Sequence, residues 1–340
     1  MQLQPFLKAG LGAVAVLVVG ATPGAATYEP VGQLDVSGIH IELPASLRSR
    51  IESVERFPVD RDGTEIDGEF VWLPEARFGL DASGTVPGAP LRFHLVYEHD
   101  VTTGSGVGAP DLDGQRLPNG LRSHAELRKA FLRLDLGETW VAAAGYMMSH
   151  WGLGMLANDG AHGWTPGSAY FGDPRSGDRV LRAYAGTQPL TDYGIVVRVA
   201  VDKVEDDDPL LDRDEAHQFI FSARTGVGHD RHAGVYIVYR DQDGRSDSDG
   251  QRGFDAVVVD VTGGMTIDLD AVGKLTLEGE IAVISGDTSF GPTPEIPKHD
   301  LLQIGAVVRA ALDRGDHGFV GDLLIATGDQ NFDDDEQNAF

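Results

Sequence analysis

The chain contains no cysteine. This excludes a disulfide framework, thiolate metal sites and a cysteine nucleophile. It is also short of basic residues: 27 Lys and Arg stand against 53 Asp and Glu, a formal net charge of -26 at pH 7. Such a chain repels a phosphate backbone, so nucleic acid is not an expected partner. An acidic surface of this kind attracts divalent cations. No internal apolar run reaches the roughly 20 residues that a membrane-crossing helix needs. Strong helical periodicity is missing as well, apart from Ser46 to Arg56, which reads as a short loop helix. Neither a GxSxG nor an HExxH motif is present.

The one compact apolar stretch lies at the start. Lys8 precedes "LGAVAVLVVG" (Leu11 to Gly20), and Gly24-Ala25-Ala26 supplies small residues for cleavage. Residues 1–26 therefore read as a signal peptide, with 27–340 as one exported domain. No Cys follows the cleavage site, so a lipid anchor is not expected. Any membrane role of the mature chain must use strands.

What fills the rest is alternation. In "LRKAFLRLDLGETWVAAAGYMMSH", Leu127 to His150, one parity holds Ala130, Leu132, Leu134 and Leu136, and the other Lys129, Phe131, Arg133 and Asp135. Period-2 runs of this kind predict strands at 69–80, 91–102, 124–136, 139–149, 179–187, 192–204, 215–226, 231–241, 253–270, 274–285, 300–313 and 318–328. Residues 31–42 form a weaker candidate. Two architectures show such faces: a soluble β-sandwich, and a membrane barrel with its apolar side toward lipid.

Three features favour the barrel. Many of the runs reach ten residues, against about 5–6 for a globular strand and ~9–11 for a membrane strand. Mid-strand charges keep to one parity: Arg198 and Asp202 oppose Val199 and Val201, and Glu278 and Glu280 oppose Leu277 and Ile281. Arg or Lys turned to lipid would cost about 2–4 kcal/mol at the bilayer midplane. Finally, connections alternate. Short ones at 137–138, 188–191, 226–230, 271–273 and 314–317 interleave with long ones at 103–123, 150–178, 205–214, 242–252 and 286–299. Barrels of the outer membrane have short turns on one side and long loops on the other. The expected fold is thus all-β, an antiparallel up-and-down transmembrane β-barrel with about 12–13 strands present. The final residues, "DDDEQNAF", end in Phe, which barrel assembly machinery reads, but acidic residues precede it and no alternating strand leads into it. By the phase of the connections the chain ends on the long-loop side, so C-terminal strands are expected to be missing.

With these features in place, the chain resembles Gram-negative outer-membrane porins. The segment "AGYMMSHWGLGMLANDG", Ala144 to Gly160, is similar to the strand-end segment of alginate-export-like barrels, and closer to outer-membrane barrels of myxobacterial type that carry nearly the same "SHWGLGML.NDG" string. Tyr146 stands where that pattern commonly has Arg. The likeness covers most of the mature chain in style and about twenty residues in motif. It implies an outer-membrane location, outer-membrane lipids and lipopolysaccharide as surroundings, and a lumen lined by Arg and acidic residues; it implies no particular substrate.

The inward parity collects Lys129, Arg133, Arg198, Arg224, Arg240 and Arg309 with Asp135, Asp202, Asp260, Glu278, Glu280 and Asp322. Such side chains act as an electrostatic filter, or pair across strands and brace the wall. In 150–178, His150, Trp151, Asp159, His162 and Trp164 suit a constriction loop folded into the pore. "DQDGRSDSDG" places Asp241, Asp243, Asp247 and Asp249 at alternating positions, as in calcium loops, but Arg252 stands where the bidentate Glu would be. A weak Ca²⁺ site or a solvated acidic loop both fit. No other cofactor is expected. The sequence points to a non-catalytic channel for polar or charged solutes, polysaccharide among them. The competing readings are an outer-membrane enzyme using loop 150–178, and a secreted β-sandwich that binds sugar or Ca²⁺.

Overall fold

The structure is a computed structural model. It describes residues 11–18, 30–54, 57–58, 65–66, 69–104, 122–159, 179–206, 215–227, 229–246, 250–289, 298–315, 317–327 and 336–337. Two compact units emerge: Thr27–Arg133, and Leu134–Phe340 together with Met1–Ala26.

In the chain's order the first strand is β1 (Leu11–Val18), which belongs to the second unit. The Thr27–Arg133 unit contains β2 (Pro30–Val36), β3 (Ile39–Val54), the short pair β4 (Phe57–Pro58) and β5 (Glu65–Ile66), β6 (Glu69–Thr85), β7 (Leu91–Gly104) and most of β8 (Arg122–Leu136). Antiparallel ladders join β2 to β3, β3 to β6 and β6 to β7.

The second unit continues with β9 (Trp140–Met148), β10 (Arg179–Thr187), β11 (Val196–Asp206), β12 (Glu215–Thr225), β13 (Arg231–Ser246), β14 (Gly250–Asp268), β15 (Lys274–Thr288), β16 (His299–Arg314), β17 (His317–Thr327) and β18 (Glu336–Gln337). From β9 to β17 each strand pairs antiparallel with the next. The segment read as a leader core forms β1, antiparallel to β17, and β18 adds a parallel pair to β16. The valine-rich makeup of Leu11–Val18 suits a strand as well as a leader.

The architecture is all-β and up-and-down, with fourteen antiparallel strands in β2, β3 and β6 to β17. Among the described residues there is no α-helix. The strand count exceeds the expected 12–13 because 31–42 is two strands. Ser37 and Gly38, at φ 52° and 83°, make the tight turn between β2 and β3. The helix expected at Ser46–Arg56 is absent: Ile39–Val54 is one strand, laddered to β6 from Ile39↔Gly84 to Val54↔Glu69. That ladder, interrupted only at Leu43 and Pro44, satisfies backbone groups through Ser46–Val54, and such tertiary pairing overrides weak local propensity. The long loop expected at 242–252 shrinks likewise, since β13 runs to Ser246 and β14 begins at Gly250.

The faces behave as the alternation predicts, with a sense opposite to that of a soluble protein. Large apolar side chains stand outward: Phe219 is 57% exposed, Val308 54% and Val199 52%. Charged ones turn inward: Asp260 is 0% exposed, Glu280 3% and Asp202 4%. Small apolar residues such as Ala216, Ala256 and Ala282 fill the inner face between them. On β14 the exposed outward residues Val257, Val259, Val261, Met265 and Ile267 span ten residue steps. At about 3.3 Å per step and a tilt of about 40°, the band stands ~25 Å tall, which is the height of the apolar band on membrane barrels. Exposed Trp140, Tyr193 and Phe319 lie at its short-turn end. Phe219 and Tyr239, with ring centroids 6.5 Å apart, lie toward the long-loop end.

Candidate functional site: a loop folded onto the charged inner face

The segment after β9 does not project away from the sheet. Trp151 N–H donates to the Ala157 carbonyl at 2.9 Å and Gly154 N–H to the Trp151 carbonyl at 2.8 Å, which closes a tight loop. Trp151 is buried and stacks on Tyr236 of β13, ring centroids 5.2 Å apart. The space it fills exists because position 234 is glycine: a Cβ there would stand 2.8 Å from the Trp151 ring. Tyr236 has inward parity, as do the buried Val238 and Arg240, so the loop lies on the inner face.

Two carboxylates hold the other side of this loop. Asp260 on β14 and Glu280 on β15 are diagonal neighbours, because Asp260 pairs with Ala282 and Thr262 with Glu280. Glu280 Oε2 accepts the N–H of Leu153, and the N–H of Met155 also points to this carboxylate. Asp260 faces Glu280 and the Trp151 indole. Yet neither Asp260 oxygen, nor Glu280 Oε1, nor Trp151 Nε1 reaches hydrogen-bond geometry with any described residue. The neighbouring strands supply a second anchor. Arg182 of β10 donates from Nε and Nη2 to Asp202 at 2.7 and 2.6 Å, and from Nη2 to the Ser149 hydroxyl at 2.6 Å.

The expected inner-face residues divide into three groups. Some are paired across strands. Arg309 donates to Asp322 at 2.8 and 3.1 Å, Asp202 meets Arg182, and Lys129 lies 3.2 Å from Glu98. Glu278 stands opposite Arg309 in the ladder. Others have softer partners: Arg240 donates to the Gln242 amide oxygen at 2.6 Å and lies over Phe254, while Arg198 lies over Tyr184. Asp135 is buried and Arg133 half-buried. Arg224 faces inward with no ion pair to any described residue, and Asp260 and Glu280 form the pair under the loop.

Of the loop residues, His150 Nδ1 lies 3.7 Å from Asp159 Oδ1, and Asp159 is buried. His162 and Trp164 lie outside the described residues. Asp241 and Asp243 are exposed and belong to β13, not to a loop, while Asp247 and Asp249 lie outside the described residues. Strand pairing fixes the two described aspartates in a ladder, Asp241 opposite Asp255 and Asp243 opposite Glu215 and Gly253. Among the described residues no three His, Asp or Glu gather to hold a metal.

Sequence reasoning missed Arg77, Asp100, Arg128, Arg182, Tyr236 and Gly234. Arg182 was within reach of it, since Arg182 and Tyr184 alternate with the outward Leu181. Arg128 was not. Arg128 and Lys129 are adjacent, yet both reach Glu98, so strict alternation fails at that point of β8.

No protein-family profile matches the chain, and no curated protein does. Among solved structures it is similar to OmpF of Salmonella typhi in a complex with daunomycin: 12% identity, 87% of this chain and 99% of that one, TM-score 0.37. It is also similar to OmpT, an outer membrane protein of Vibrio cholerae, at 12% identity, 87% and 99% coverage, and TM-score 0.34.

Proposed function

We propose that the chain is an outer-membrane channel for polar or charged solutes, in which the loop at 149–159 narrows the passage and the inner-face charges filter what enters. One observation carries this reading. The large apolar side chains face outward in a band ~25 Å tall, while buried charges and an infolded loop occupy the other face. A soluble sandwich needs the reverse, because an exposed apolar surface of that extent would associate or aggregate in water. In lipid the same surface is at home. Outer-membrane lipid and lipopolysaccharide are then the surroundings, and barrel assembly machinery the insertion partner.

No catalysis is assigned to the loop. His150 and Asp159 approach each other, but the Ser149 hydroxyl is held by Arg182. The pair acts in loop packing, and His150→Ala is expected to leave conductance in place. The test is to extract the outer-membrane fraction in detergent and compare boiled with unboiled samples on SDS gels. The channel reading predicts a band whose mobility shifts on boiling, and ion conductance in a planar bilayer. A protein that stays soluble without detergent and shows no shift overturns it.

A further inference from the structure

Beside the infolded loop, toward the short-turn end, lies a cavity of about 440 Å³. Its chemistry-bearing walls are His150 and Trp151 from the loop, Arg224 and Thr225 at the end of β12, His232 at the start of β13, and Thr262 on β14. None of its lining residues is acidic. This stands out in a chain with about twice as many acidic as basic residues, 53 against 27.

Register explains why Arg224 differs from the other inward arginines. Arg309 stands beside Asp322 and Arg182 beside Asp202 in their ladders, and each closes a two-point ion pair. The ladder partners of Arg224 are Gly234 and Val196. Gly234 offers no side chain, and the Trp151 ring occupies the space beside it, against the Arg224 Cβ. Arg224 is exposed, with no hydrogen bond or ion pair to a described residue. His232 is exposed beside it on the same face. Glu280 borders the cavity behind Gly152, but its Oε2 is turned to the Leu153 N–H.

A guanidinium with a free planar fork, flanked by imidazoles and hydroxyls, matches a carboxylate or phosphate group. The cavity volume is that of a small-molecule site. We propose that this cavity binds a small anion, the carboxylate or phosphate group of a solute, with Arg224 as its principal ligand. The proposal rests on the channel reading only for how the solute arrives.

The probe is inorganic phosphate, titrated calorimetrically against the full chain in detergent. The expected result is saturable binding that weakens about tenfold or more in Arg224→Gln, because a hydrogen-bonded charge pair is lost. His232→Ala should weaken it severalfold. Arg231→Gln, at the outward parity of β13, should leave it unchanged. Absence of phosphate binding in the wild type, or equal binding in Arg224→Gln, overturns the site. Planar-bilayer conductance separates the two readings. A chain that conducts but does not bind phosphate keeps the channel and loses the site, and a chain that binds but does not conduct does the reverse.

Discussion

Buried charge on the inner faces is handled in two ways, one seen in both units and one described only in the second. In the Thr27–Arg133 unit the signs are matched. Arg77 donates from Nε and Nη2 to Asp100, both at 2.7 Å, Arg128 donates to Glu98 at 3.0 Å and lies 3.4 Å from Asp100, and Lys129 lies 3.2 Å from Glu98. In the second unit Arg182 and Arg309 are paired likewise, but Asp260 and Glu280 are buried side by side with no cation beside them among the described residues, and a loop supplies backbone N–H donors to one of them. The difference teaches where the wall is finished and where it is not. A cluster of opposite charges supplies partners to its own members. A pair of buried carboxyl groups needs donors from elsewhere, and here a loop on the wall supplies them.

The largest effect should come from breaking the matched cluster. Arg77→Met leaves Asp100 buried with only the longer contact to Arg128, and removing one partner of a buried pair costs about 3–5 kcal/mol. The check is the temperature at which the unboiled gel band converts to the boiled one, which should fall clearly. Next is the loop seat. Gly234→Ala places a methyl 2.8 Å from the Trp151 ring; displacing the ring costs about 1–3 kcal/mol and should raise single-channel conductance as the loop lifts. Asp260→Asn sharpens the comparison through its opposite sign. The amide can donate to Glu280 Oε1, so stability should rise by about 1–2 kcal/mol, read from the same gel transition. Smallest is Lys298→Ala. Asp287, 2.5 Å away, holds the Lys298 ammonium pKa above its usual value, but the side chain is exposed. Surface pairs of this kind contribute little, and no shift of the gel transition is expected.

Much of the fold was legible because a two-residue period leaves its mark on every strand, whatever the partner. Phe219 and Phe221 against Gln218 and Ser222 could be sorted into faces without knowing what lies opposite. The β2–β3 hairpin was not, since residues 31–42 show only weak alternation, although the Ser37-Gly38 pair is a turn signal in its own right. The site was legible in its members and not in its pairings. Alternation says that Asp260, Glu280 and Arg224 face inward. Only register says that Glu280 meets Asp260 diagonally and that Arg224 looks across at Gly234. Arg128 escaped for a different reason, because β8 breaks its period there.

The claim that most needs a direct test is that the outward face meets lipid. The chain has no cysteine, so single Cys substitutions on β14 can each carry one nitroxide label. Labels at Val257, Val258, Val259, Ala256 and Val261, in protein reconstituted into bilayers, would be scored for accessibility to oxygen and to a water-soluble nickel chelate. The account predicts a two-residue period, with high oxygen and low nickel access at 257, 259 and 261 and low oxygen access at 256 and 258. Equal oxygen access along the strand, or nickel access at the outward positions, would contradict a lipid-facing band.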